Sequence, residues 1–110
     1  MNRPVTDAEL AEYLVKVQDI VDRGLVAFHG EGFLKTFGYV ISAQPGRKYI
    51  KIVKTDKDGS GRSVHHFVNR ETGDILKAAS WKKPAKGIRG NIRQPNLEMS
   101  LRTHGAVYWK

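Results

Sequence analysis

Residues 73–92 read Gly73-Asp-Ile-Leu-Lys-Ala-Ala-Ser-Trp-Lys-Lys-Pro-Ala-Lys-Gly-Ile-Arg-Gly-Asn-Ile92. Their first half, Asp74 to about Ala79, has the length and composition of a β-strand, with Ile75 and Leu76 at its centre. In the second half that pattern gives way to cations. Lys82, Lys83, Lys86 and Arg89 follow Trp81, with Arg93 just beyond, and no acidic residue separates Trp81 from Arg93. Pro84 disfavours continued strand pairing, and Gly87 and Gly90 permit close backbone approach. The stretch therefore predicts a last sheet strand that ends in a basic loop.

Working back from it, the preceding residues supply three more strands. Arg62 to Asn69 is bounded by the polar hairpin loop Thr55–Gly61 on one side and by the tight turn Arg70-Glu71-Thr72-Gly73 on the other. Lys48 to about Lys54 places Ile50 and Ile52 on one face, with Tyr49, Lys51 and Val53 on the other. A strand pattern beginning near Phe33 sets Phe37, Tyr39, Ile41 and Ala43 in alternation with Gly38, Val40 and Ser42. Gln44-Pro45-Gly46-Arg47 joins these last two as a type II turn.

The N-terminal segment predicts a helix. Thr6 and Glu9 have capping-box spacing, and Val5 and Leu10 occupy the positions of a hydrophobic staple. Leu10, Tyr13, Leu14, Val17, Ile20 and Val21 repeat on one helical face, and Gly24 reads as the residue that ends it. Leu25–Phe28 reads equally as a short strand or an extra helical turn, followed by a turn at His29–Gly32. A short apolar end, Ala106–Trp109, suits an edge strand or packing against the helix. The fold class is α+β: one amphipathic helix on an antiparallel meander of about four strands, with a basic C-terminal loop region. All 110 residues fit a single domain.

Composition limits the chemistry. The absence of cysteine excludes disulfides, thiolate metal sites and cysteine nucleophiles. No apolar run is long enough for a leader or a transmembrane helix, so no membrane partner is expected, and the cytoplasm is the expected location. Charge is the positive clue. The net formal charge is +8, with pI near 9.9, and it is uneven. Residues 1–43 carry four basic and six acidic side chains, a net of −2, whereas residues 44–110 carry fifteen and five, a net of +10. Such asymmetry points to a polyanion, nucleic acid before others.

The candidate nucleic-acid-binding residues are Lys82, Lys83, Lys86, Arg89 and Arg93 for phosphates, with Trp81 as a stacking ring. Arg47, Lys48 and Lys51 extend the patch, as does Lys54, if their strand lies alongside. No recognition helix is evident, so strong base specificity is not expected. The same basic surface also suits an acidic protein, which leaves a host-protein partner as the alternative.

No catalytic residue, metal ligand or cofactor is assigned. Asp56 and Asp58 precede Gly59 as in a calcium loop, but Phe67 stands where the bidentate glutamate belongs. A nuclease would need carboxylates from Asp56, Asp58, Glu71 and Asp74 to converge, or a base among His65, His66 and His104. His29 reads as solvated. His65 and His66, being adjacent in a strand, face opposite ways unless a bulge intervenes, which predicts one packed and one surface imidazole.

The core Thr72-Gly73-Asp74, Ile75-Leu76, Lys77-Ala78-Ala79-Ser80-Trp81-Lys82, Pro84-Ala85-Lys86 and Arg89-Gly90-Asn91-Ile92 resembles that of an uncharacterised family of small basic bacteriophage and mobile-element proteins. Gly46–Val53 and the ending Gly105-Ala106-Val107-Tyr108 share the resemblance, which thus spans roughly residues 46–108 and leaves the helix outside. It implies a phage origin and a bacterial cytoplasm, and it carries no catalytic residue across.

Overall fold

The computed structural model describes residues 4–30, 32 and 38–106. Helix α1 spans Asp7–His29. Its start is fixed locally: Thr6 Oγ1 accepts from the Glu9 amide at 3.1 Å, and Glu9 Oε1 accepts from the Thr6 amide at 3.4 Å. Tyr13, Val17, Ile20, Val21 and Leu25 form its buried stripe, and Val5 and Leu10 pack against the same core.

The helix does not stop at Gly24. It continues to His29 and is closed by Gly30, whose φ of 88° is a left-handed value and whose N–H donates to the Val26 carbonyl at 2.8 Å. Gly24 instead marks a close approach. A methyl group at that position would fall on Oγ1 of Thr103, where the C-terminal segment crosses the helix.

Five strands follow: β1 (Tyr39–Pro45), β2 (Tyr49–Asp56), β3 (Arg62–Asn69), β4 (Asp74–Ala78) and β5 (Pro84–Asn91). They form one antiparallel sheet in the order β1-β2-β3-β4-β5. The expected basic loop is therefore largely a fifth strand. Pro84 is its first residue, where a missing N–H costs little on an edge strand. Register shifts at Ile75/Leu76 and Leu76/Ala78, together with Gly87 at φ 96°, absorb the irregular residues. The hairpin closes where the amides of Ala79 and Ser80 both donate to the Lys83 carbonyl, at 3.0 and 3.1 Å.

At the first hairpin Pro45 ends β1 and the Gly46 amide donates to the Tyr49 carbonyl at 2.9 Å. Gly46 does not adopt a positive φ, so the expected type II turn is not formed. Of the first strand, the positions Phe33 and Phe37 lie outside the described residues.

Register sorts the side chains into two faces. Ala43, Ile52 and His66 stand opposite one another, as do Ile50, Val68 and Ile75, and these rows lie under α1. Ile92, Leu97, Leu101 and Ala106, from the segment after β5, complete the core. The other face carries the row Gln44, Lys51, Phe67, Leu76 and Ile88 across all five strands. Among the described residues, no helix is long and apolar enough to cross a membrane.

Candidate nucleic-acid interface

Period-two alternation in β2 puts Tyr49, Lys51 and Val53 on the face turned away from the helix, as the sequence predicts. Cross-strand register adds Val64 and Phe67 from β3, and pairs Arg62 with Thr55 on that same face. Val53, Phe67 and Leu76 are nevertheless only 1, 3 and 9% exposed, so this second face has a small apolar centre of its own.

Trp81 borders this centre. It lies in the β4–β5 turn, yet Lys51 Nζ is 4.1 Å from its ring centroid and the Arg62 guanidinium carbon is 5.3 Å away. Both distances are within cation–π range, worth about 0.5–1 kcal/mol each at an exposed site. The indole remains 36% exposed. A second aromatic–cation group lies on β2 and β3: Tyr49 meets Phe67 edge to face at 6.2 Å, with Lys48 Nζ 5.4 Å from the Tyr49 ring.

The predicted cations fall into three places. Lys82 and Lys83 are exposed beside Trp81, in a turn that Ser80 Oγ holds by accepting from both of their amides, at 3.3 and 3.2 Å. Lys86 and Arg89 lie on the edge strand β5; Lys86 is exposed, whereas Arg89 is half-buried and its Nε is buried without a hydrogen-bond partner. Arg47 and Lys48 are exposed at the opposite end of the sheet, at the β1–β2 turn.

Two candidates sit elsewhere. Arg93 is tied into the fold: its Nε–H donates to Glu9 Oε2 at 2.7 Å and its Nη2–H to Glu9 Oε1 at 2.9 Å, with further bonds to the carbonyls of Thr72 and Pro4. Lys54 belongs to the helix side, where its Nζ donates to His104 Nδ1 at 3.0 Å and lies 4.5 Å from the Tyr39 ring centroid. Sequence reasoning missed Arg62. Its only signal is strand register, which pairs it across from Thr55.

The carboxylates do not converge. Asp56 and Asp58 bind Ser60 within the β2–β3 loop, while Glu71 and Asp74 flank the β3–β4 turn at the other end of the sheet. Asp74 accepts from Thr72 and Asn91. Among the described residues, no three potential metal-ligating side chains cluster.

His65 and His66 correct the expectation of one surface imidazole. A register shift sets Ile52 opposite His66 and Val53 opposite Val64, so His65 is the extra residue of a bulge. The bulge brings both imidazoles to one side, 1 and 0% exposed, and leaves Val64 on the face opposite His66. They form a buried chain: Tyr13 Oη to His66 Nε2 at 2.6 Å, His66 Nδ1 to His65 Nδ1 at 2.7 Å, and His65 Nε2 to the Arg102 carbonyl at 2.7 Å.

Burial pushes His65 down to about 4 and His66 well below its usual value, and it raises Tyr13, so at neutral pH both rings are neutral and the phenol keeps its proton. A carbonyl only accepts, so His65 Nε2–H donates to Arg102. His65 Nδ1 then accepts from His66 Nδ1–H, and His66 Nε2 accepts from the Tyr13 hydroxyl. Every ring nitrogen is satisfied, and the chain clamps α1, β3 and the C-terminal segment together.

A single helix on one face of a five-stranded antiparallel meander, with a cation- and aromatic-bearing second face, defines an α+β protein. The chain belongs to a family of unknown function, DUF7717, whose model matches residues 7–106. No curated protein and no solved structure matches it.

Proposed function

We propose that this protein binds nucleic acid through the sheet face opposite its helix, without strong sequence preference. The observation that supports this reading is Trp81, a partly exposed indole flanked by Lys51 and Arg62 and followed in the chain by Lys82 and Lys83. Cations neutralise phosphates, and an aromatic plane accepts any unstacked base, so the combination favours polyanion binding over base readout. Lys86 and Arg89 extend the surface along β5, and Arg47 and Lys48 extend it at the other end of the sheet. In this reading the protein acts as a binder rather than a nuclease. The resemblance of residues 46–108 to small phage and mobile-element proteins supports a bacterial host cytoplasm as its place of work.

The test is a fluorescence anisotropy titration of a labelled oligonucleotide at rising salt, with wild type and with Lys82, Lys83 and Lys86 replaced by Ala. Weaker binding and a shallower salt dependence in the variant support the reading. Salt-independent binding, or identical behaviour of the variant, overturns it. Stoichiometric retention of one host protein from nuclease-treated lysate, with no oligonucleotide binding, would instead favour a modulator of an acidic host protein.

A further inference from the structure

β1 is the outermost strand on one side of the sheet, so alternate backbone groups along it face away from β2. Two of these groups are taken by a side chain of the helix. Gln18 Nε2–H donates to the Tyr39 carbonyl at 2.8 Å, and Gln18 Oε1 accepts from the Ile41 amide at 2.9 Å. A residue of a parallel neighbouring strand would use the same two groups, bonding the carbonyl before Val40 and the N–H after it. The Gln18 amide thus takes the place of the peptide group of an added strand. Its orientation is fixed: the Tyr39 carbonyl only accepts, the Ile41 N–H only donates, and Nε2–H also donates to Asp22 Oδ1 at 3.0 Å, one turn on along α1.

The two edges of the sheet are protected in different ways. β5 carries its protection in its own sequence: Pro84 at its start, Lys86 and Arg89 along it, Gly87 at φ 96°, and register shifts against β4. β1 has none of these before its last residue. Tyr39-Val40-Ile41-Ser42-Ala43-Gln44 bears no charge and no proline, and Tyr, Val and Ile favour extended pairing. It also meets β2 over seven pairs in unbroken register, whereas β3 and β4 share only two, Phe67↔Leu76 and Val68↔Ile75. Val40 and Ser42 are exposed.

An unbroken, uncharged edge of good strand formers is a template for another strand. The partner it fits is its own copy. Two chains related by a twofold axis at Ser42 would set Ile41 of each opposite Ala43 of the other, and those pairs would exchange N–H···O=C bonds. No like charges would meet between the two strands, whereas two copies of β5 would bring Lys86 and Arg89 together. The pairing needs the Ile41 amide, which Gln18 Oε1 already holds. We infer that the β1 edge is a pairing surface for a second copy of this chain, and that Gln18 is the latch that keeps it closed. The latch does not depend on nucleic-acid binding by the sheet face.

Sedimentation velocity over a concentration series tests this with wild type and Gln18→Leu, which keeps the bulk of the side chain and removes both hydrogen-bonding groups. Gln18→Leu should self-associate at least roughly tenfold more tightly than wild type, a difference of about 1.4 kcal/mol. Ser42→Lys in the same chain should reverse the gain, because it sets like charges opposite each other at the axis. Ile88→Lys, on the β5 edge, should not. A folded Gln18→Leu that associates no more than wild type overturns the inference. So does association that survives Ser42→Lys or is lost with Ile88→Lys. Hydrogen exchange on the wild-type protein holds even if Gln18→Leu fails to fold. The Ile41 amide, although it faces outward, should exchange as slowly as that of Ser42, which faces β2. Faster exchange at Ile41, as of a bare edge amide, means that Gln18 does not hold the edge and overturns the latch.

Discussion

Arg93 and Glu9 join the segment after β5 to the helix: a bidentate pair at 2.7 and 2.9 Å links Arg93, two residues past the end of β5, to the first turn of α1. The same Glu9 completes the capping box with Thr6. Both side chains are about three-quarters covered, at 24 and 23% exposure. Arg93→Ala should therefore lower stability by about 1–3 kcal/mol, the range for charge-assisted hydrogen bonds. Urea denaturation measures this. Oligonucleotide affinity of the folded variant should stay near that of wild type, and a large loss there would return Arg93 to the interface.

Gly24 reverses an ordinary rule. Gly→Ala in a helix interior commonly stabilises by up to about 1 kcal/mol. Here the added methyl meets Thr103 Oγ1, so Gly24→Ala should destabilise. Removing the hydroxyl relieves the clash, and Gly24→Ala/Thr103→Ala should be more stable than Gly24→Ala alone. A double-mutant cycle by thermal melting reads the coupling directly.

The buried imidazoles make the protein acid-sensitive. An unfolded histidine takes up a proton near its usual value of 6.5, whereas folded His65 waits until about 4. Its contribution to stability is thus complete above pH 6.5 and declines as pH falls toward 4. The slope is about 1.4 kcal/mol per pH unit for this site, and His66, shifted the same way, steepens it. Denaturation midpoints across this window should show the decline, and His65→Gln should flatten it.

Stacking and phosphate contact separate by their salt response. Trp81→Ala should weaken single-strand binding by about 1–3 kcal/mol, a stacked base's worth, while leaving the salt slope intact. Lys82→Ala/Lys83→Ala should reduce that slope by about 0.7 per lost phosphate contact on single strands. Fluorescence anisotropy at several salt concentrations distinguishes the two.

Features set by neighbouring residues were legible in the sequence. The Thr6–Glu9 cap, the limits of the Arg62–Asn69 strand and the alternation of Ile50 and Ile52 against Lys51 and Val53 depend on local spacing alone. Others depend on partners distant in the chain. Gly24 read as a helix end because Thr103, which explains it, lies far along the sequence. β5 read as a loop because Pro84, Gly87 and Gly90 are breakers in a central strand but tolerable on an edge. The paired burial of His65 and His66 follows from a bulge against β2, and a bulge has no signature in one strand read by itself. Arg62 was overlooked beside Trp81 for the same reason, whereas Lys51 was found because its own strand announces its face.

The two-pair junction of β3 and β4 makes the sheet a diptych. One leaf is β1–β3, backed by α1 and clamped by the histidine chain; the other is the β4–β5 hairpin, which carries Trp81, Lys82, Lys83 and Lys86. Ile75, fully buried in the shared core, is the rivet between them. A leaf fastened at so few points opens at lower free energy than the whole domain. Amides of Leu76 to Ile88 should accordingly exchange faster than those of Ile50 to Ile52, and Ile75→Ala should widen that gap. The leaf that bears the cations is then the one able to adjust to a partner while the helix-backed leaf keeps its shape.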